Sequence, residues 1–371
     1  MLFRSFAAVA AFSLAACASA SDALNSTLKA AIAGSKVPAV GAVVIRDGKV
    51  AEQAVIGMRR SDGKTAVGAD DVWLIGSTGK VMTVAMIARL VERGVLAWDT
   101  PLDKMLPALA AGMRPEYRKA TLVQLLSHRS GLPRDIKNTA ALEKYFADTR
   151  SSTKQRMAYV TRALKDAPEV VKDSPFNYSN TGFLVATAIA EKTSDQSYEA
   201  LMKKEVFEPL GMRNVGFGDT GAGQNRGHQK GRPMLKMRRA DDGAPAMYAP
   251  AGFLHMPLAA WAQFNLDQLA GAKGQGKLLS AASYRLMQTA QAGSPAGLDW
   301  GVQESIAGRQ GPALVHQGSD GNWLAIVALF PGQASGAMVV ANAGPDMGAD
   351  QVLHGIFVKL FPTLSPAKDA P

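Results

Sequence analysis

The sequence has a single cysteine, Cys17, among 371 residues, which excludes an intrachain disulfide and any CxxC metal or redox site. Its five histidines (His128, His228, His255, His316 and His354) form no HxH or HExxH pair, which argues against a metal centre. There is no G-x-S-x-G elbow, no phosphate loop and no dinucleotide-binding glycine pattern. No cofactor is therefore expected. Aromatic residues are scarce at 7%, but apolar residues make up 47% and charged residues 19%, so Ala, Val, Leu and Ile supply a core and a disordered chain is excluded. After the N-terminus no apolar run reaches the roughly 18 residues needed to span a bilayer. The formal charge of +10 is spread along the chain. Only Lys230–Arg239 is locally basic, and it belongs to no nucleic-acid module, so no nucleic-acid partner is expected.

What is present begins with a targeting segment. Residues 1–20 combine Arg4, an apolar run from Phe6 to Ala16 and small residues after it, the make-up of an export signal. Ala18-Ser19-Ala20 fits a cleavage site that would release a chain starting at Ser21. Leu14-Ala15-Ala16-Cys17 fits a lipobox that would leave Cys17 lipidated and anchor the protein to a membrane. Both readings place the mature protein outside the cytoplasm, in the periplasm or on the outer membrane.

Residues 21–371 read as one composite domain. Val40–Ile45 and Val50–Ile56 are apolar, β-branched runs joined by Asp47-Gly48, a strong hairpin signal. Strand patterns return at Ala313–His316, Leu324–Phe330 and Ala337–Asn342, with turns at Asp320-Gly321 and Pro331-Gly332. Between them, from about 81 to 290, the pattern is helical, and Val81–Val91 is apolar on nearly every face until Gly94 stops it. Strands bury a face only by pairing, so the two terminal groups (about 37–60 and 310–343) are expected to share one sheet, with the helical region beside it and a cleft between.

Five S-x-x-K spacings occur: Ser26/Lys29, Ser61/Lys64, Ser77/Lys80, Ser151/Lys154 and Ser365/Lys368. On a helix this spacing stacks a hydroxyl over an amine, and a desolvated Lys can take the Ser proton. Four of the five lie in polar or turn contexts and read as solvated pairs. Ser77 alone lies between an apolar lead-in, Val72–Ile75, and a buried helix whose N-terminal N–H groups favour a developing oxyanion. Standing by itself, Ser77 would equally be a helix cap. Tyr178-Ser179-Asn180 is the one Y-x-N among seven tyrosines. It offers a base beside a Lys and an amide for a substrate carbonyl, or else an ordinary helix start. His316-Gln317-Gly318 ends an apolar strand. Gly318 would let a substrate approach, and the N–H of Ser319 could join that of Ser77 in an oxyanion pair.

In this order the three motifs resemble the serine β-lactamase and penicillin-binding-protein superfamily, most closely its class C branch, which includes family VIII carboxylesterases. Thr121–Pro133, Val206–Phe217, Pro250–Gly252 and Leu298–Gly301 resemble further family segments. The resemblance implies an α/β (α+β) fold, an antiparallel sheet flanked by helices plus an all-α region. It implies that Ser77 forms an acyl-enzyme, Lys80 and Tyr178 share the base role, Asn180 orients the acyl group, and Ser77 and Ser319 form the oxyanion hole. Two departures stand out. Lys172-Asp173 replaces a frequent Pro-Gly before Y-x-N, and His316-Gln317 replaces the Lys-Thr or Lys-Ser that meets a β-lactam carboxylate. The expected substrate is thus a small-molecule ester. A β-lactam or a D-amino-acid peptide is the rival, and a weakly catalytic binder of cell-wall peptides is the alternative from another class.

Overall fold

The computed structural model describes residues 21–136, 139–169, 174–236, 244–306 and 308–364. The targeting segment, with Cys17, and Lys172-Asp173 lie outside them. Six strands form the main sheet: β1 (Ala39–Arg46), β2 (Lys49–Gly57), β3 (Gly301–Ile306), β4 (Arg309–Ser319), β5 (Leu324–Phe330) and β6 (Ser335–Ala341). Their order is β2-β1-β6-β5-β4-β3, and every neighbouring pair is antiparallel. The first strand of the chain therefore pairs with the last, Val40 opposite Ala341.

The side-chain period of two divides the sheet into two buried faces. Val40, Ala42 and Val44 point with Leu324, Ala328 and Val339 toward α1 (Asp22–Ile32) and α7 (Ala349–Leu360). Val43, Ile45, Val327, Leu329 and Val340 join the larger core of the helical region. That region includes α2 (Lys80–Glu92), α3 (Leu122–Leu126), α4 (Ser152–Ala163), α5 (Asn180–Ser194) and α6 (Leu258–Ala272). At Gly41 a Cβ would stand 2.7 Å from Leu258 Cδ1, so α6 rests directly on the backbone of β1.

Two details differ from the sequence reading. The C-terminal group of strands begins at Gly301 rather than near 310: β3, an edge strand with three exposed polar residues in a row, carries no apolar alternation to signal it. Short strands punctuate the helical region: Trp73–Leu74, Leu254–Met256 and Gly216–Phe217 pair in a small sheet beside Ser77. The turn at Pro331-Gly332 is present and ends on Ala334, which takes the left-handed region. At the first hairpin both Asp47 and Gly48 take positive φ, as a type I′ turn requires.

Candidate active site

Ser77 enters the site on a 3-10 turn, Gly76–Gly79, and α2 begins only at Lys80. The turn fits because three glycines let backbone meet backbone. A Cβ on Gly318 would lie 2.3 Å from the Ser77 nitrogen, and one on Gly76 would lie 2.6 Å from the Ser319 nitrogen. A Cβ on Gly252, at φ +150°, would be less crowded, 3.1 Å from the Ser77 nitrogen. Gly318 thus serves the approach of the Ser77 turn to β4, where the sequence suggested the approach of a substrate. The same contact sets the N–H groups of Ser77 and Ser319 side by side. The Ser319 hydroxyl is spent in the next turn, donating to the Trp323 carbonyl at 2.6 Å.

Lys80 is wholly buried, with Nζ 2.9 Å from Ser77 Oγ and also bonded to the Ala251 carbonyl. Burial drives its pKa down to about 7, against the pull of the Asp299 and Asp135 carboxylates. Tyr178 lies beside Ser77, and its ring centroid is 5.0 Å from Lys80 Nζ. Burial and the Asp299 charge push its phenol above the usual range. The position of Tyr178 follows from the start of α5. Ser179, not Asn180, is the cap, accepting from the Gly182 N–H at 3.0 Å and donating to the Pro133 carbonyl at 2.8 Å. Asn180 Nδ2 donates to both oxygens of Asp135, at 3.2 and 3.3 Å.

His316, near the end of β4, lines the same cleft as Tyr178, and its Nε2 lies 2.8 Å from Asp299 Oδ2. The other oxygen of Asp299 accepts from His128 Nε2 at 2.9 Å. His128 must carry its proton on Nε2, because its Nδ1 accepts from the Ser179 N–H at 3.0 Å. Its ring stacks on Tyr178 with centroids 4.4 Å apart. Asp299 is fully buried, a cost that opposes ionisation, but His316 and His128 outweigh it and hold the carboxyl well below its usual range. His128 and Asp299 both occupy the left-handed region, at φ 59° and 71°, a strain this hydrogen-bonded unit sustains. Gln317 points to the opposite face from His316 and is exposed, lining the same cleft.

Asp299, His128, Asp135 and the Ala251 carbonyl were not singled out from the sequence as site groups. His128 and Asp299 are 171 residues apart, so no local spacing joins them. The one available signal is that His128, Ala251 and Asp299 fall inside segments resembling the family; Asp135 lies just past one. A cleft of about 520 Å³ opens beside Tyr178 and His316.

A family model described as Beta-lactamase matches residues 24–355. Penicillin-binding protein 4 of Amycolatopsis lactamdurans is 26% identical over 327 residues, covering 83% of this chain and 81% of that one. The D-alanyl-D-alanine-carboxypeptidase/endopeptidase AmpH of Escherichia coli K12 is 27% identical over 318 residues, covering 82% and 79%. In fold, the chain is similar to the octameric penicillin-binding protein homologue from Pyrococcus abyssi, with a TM-score of 0.72 at 23% identity and coverage of 94% and 79%. It is similar also to a D-stereospecific amidohydrolase from Streptomyces sp., with a TM-score of 0.69 at 22% identity and coverage of 91% and 98%. With the family model spanning nearly the whole of the described chain, this protein belongs to the beta-lactamase family of serine hydrolases, with the penicillin-binding-protein-like fold.

Proposed function

We propose that the protein hydrolyses carboxylic esters through an acyl-enzyme at Ser77. The observation that carries this reading is a buried Lys80 amine, with a pKa of about 7, placed 2.9 Å from the Ser77 hydroxyl. As Oγ bonds to the substrate carbonyl carbon, its proton passes to neutral Lys80. The N–H groups of Ser77 and Ser319 receive the oxyanion. The bond to the leaving oxygen then breaks, and that oxygen takes a proton from Lys80 relayed through the neutral Tyr178 hydroxyl. Water attacks the acyl-enzyme with the same groups used in reverse. The ester preference rests on an imidazole standing where a β-lactam carboxylate would need a fixed cation, and on the apolar walls of the adjoining cleft. A D-amino-acid peptidase is the second reading, supported by the names of AmpH and the amidohydrolase.

A fluorophosphonate labelling experiment followed by a substrate panel tests this. Ser77 should be modified, and kcat/KM for nitrophenyl butyrate should exceed that for nitrocefin and for a D-Ala-D-Ala peptide. Preference for the peptide would favour the second reading, and an unlabelled Ser77 would favour a binding protein. We propose in addition that residues 1–20 direct export. Mass determination of the mature N-terminus, Ser21 or a lipidated Cys17, tests that.

Two further results are expected. Lys80 accepts a proton only as the free amine, so kcat/KM should fall about tenfold per pH unit below its pKa, with the acid limb turning near pH 7. A limb turning near the ordinary carboxylate range would assign the base elsewhere. The Asp299 charge raises the Lys80 pKa, so Asp299→Asn should move that limb to lower pH. The same variant leaves one imidazole facing an amide N–H₂, and kcat should drop roughly tenfold to a hundredfold with the fold intact. An unmoved limb in a folded variant would reduce Asp299 to a packing role.

A further inference from the structure

Two of the three large apolar side chains exposed among the described residues, Met58 and Leu235, stand on one basic surface. Two interlocked arms build it. The first, residues 58–66, is closed by the Met58–Ala66 bridge and by the Arg59 N–H donating to the Thr65 carbonyl at 2.9 Å. The second, residues 226–236, is a hairpin in which His228-Gln229 pairs with Arg232-Pro233. The Ser61 N–H donates to His228 Nε2 at 3.0 Å, and the Arg226 N–H to the Arg59 carbonyl at 3.1 Å. Together the arms carry seven Lys and Arg against one acidic residue, Asp62. Arg59, Arg60 and Arg226 pair with Asp71, Asp62 and Asp219. Lys64, Lys230, Arg232 and Lys236 are exposed and have no ion-pair partner among the described residues. The nearest further carboxylate, Asp346, accepts from the backbone N–H of Lys230 at 2.7 Å.

At the tip of the second arm Lys230 and Gly231 have φ of 52° and 77°, left-handed angles that Asn-Gly would accept without strain. The chain sets an exposed lysine there instead. Between the arms lies a concavity of about 420 Å³, lined by Arg59, Arg60, Arg226, Thr65 and Leu235 and by no carboxylate. Cations alone would suit any polyanion. Leu235, 48% exposed at the rim of this concavity, separates the partners. A soluble polyanion gives an apolar side chain nothing to enter, whereas a bilayer offers lipid phosphates and an acyl boundary together. We propose that the two arms dock the protein on anionic phospholipid bilayers, with Leu235 and Met58 in the headgroup boundary and the four unpaired cations on lipid phosphates. The His228 N–H donates to the Asn322 carbonyl at 2.9 Å, in the turn that follows Ser319. His228 is three residues from Gly231, so docking holds that turn on the order of 10 Å from the lipid-facing tip. The surface serves whichever substrate Ser77 takes.

Vesicle co-sedimentation tests this. Every chain carries Cys17→Ser, so that no lipid anchor contributes and the N-terminal segment is common to all variants. Binding should be clear on vesicles of phosphatidylglycerol and phosphatidylcholine in equal parts, weak on phosphatidylcholine alone, and should fall as salt is raised. A cation at an anionic surface contributes about fivefold to partitioning, so Lys64→Gln combined with Lys236→Gln should lose roughly 25-fold. Leu235→Ser should lose roughly fivefold. Lys49→Gln, at an exposed lysine of the β1–β2 hairpin, should change nothing. All these side chains are exposed, so each variant should keep the parent's thermal midpoint. Equal binding to both kinds of vesicle, undiminished binding by the arm variants, or no vesicle binding at all would overturn the proposal. Retention on heparin without vesicle binding would assign the arms to a soluble polyanion and overturn it too.

Discussion

Replacing Ser77 by Ala should reduce turnover by roughly 10⁵- to 10⁶-fold, the loss expected when the nucleophile of an acyl-transfer unit is removed. The neighbouring hydroxyls are committed elsewhere. Thr78, the adjacent one, is buried and donates to the Ile75 carbonyl at 2.7 Å, facing away from Lys80. The Ser319 hydroxyl is held by Trp323. The smaller alanine side chain fits wherever the serine did, and the turn itself is built from glycine contacts and the Thr78 N–H to the Ile75 carbonyl. The thermal midpoint should therefore stay within roughly a degree or two. Intact-mass spectra after mixing with a slow ester should show an acyl adduct on the wild type and none on the variant. An adduct on Ser77→Ala, or activity near wild type, would refute the assignment.

The second large effect concerns Lys80 and Tyr178. Each alone should cost roughly 10²- to 10⁴-fold in kcat when changed to Met and Phe, the usual range for a general acid–base group. In the proposed mechanism both act on one proton, the one on Ser77 Oγ, so the double variant should lose about as much as the worse single one. Lys80→Met keeps the buried chain and deletes a desolvated amine, so it should fold at least as well as the wild type. Multiplying losses would instead mean that one of the two side chains only holds substrate.

The residues that could be read in advance are those with local signals. Ser77 stood out because an apolar helix followed its S-x-x-K spacing, and Asp47-Gly48 announced a hairpin because only such residues accept its dihedral angles. The antiparallel sheet and the flanking helices followed from period two at both chain ends and period 3.6 between. What stayed hidden was non-local or without pattern. Strand β3 has three exposed polar residues in a row, Gln303–Ser305, and so shows no alternation. Asp299 looks like any loop aspartate until folding buries it between two imidazoles from distant segments. The role of Ala251 belongs to its carbonyl, which no side chain can advertise.

The glycine contact between Gly318 and the Ser77 turn ties the chemistry to strand register. A slip of β4 by one residue would bring Gln317 or Ser319 against that turn, and either Cβ would collide with backbone. Sheet order also requires β1, near the start of the chain, to pair with β6, near its end. Helices α2 and α5 are local and can form early, whereas such distant strand pairing forms slowly. On refolding, helical circular dichroism should therefore recover first and hydrolysis last. The enzyme's own turnover is a proofreading signal for its sheet, since only the correctly registered strand lets the nucleophile into place.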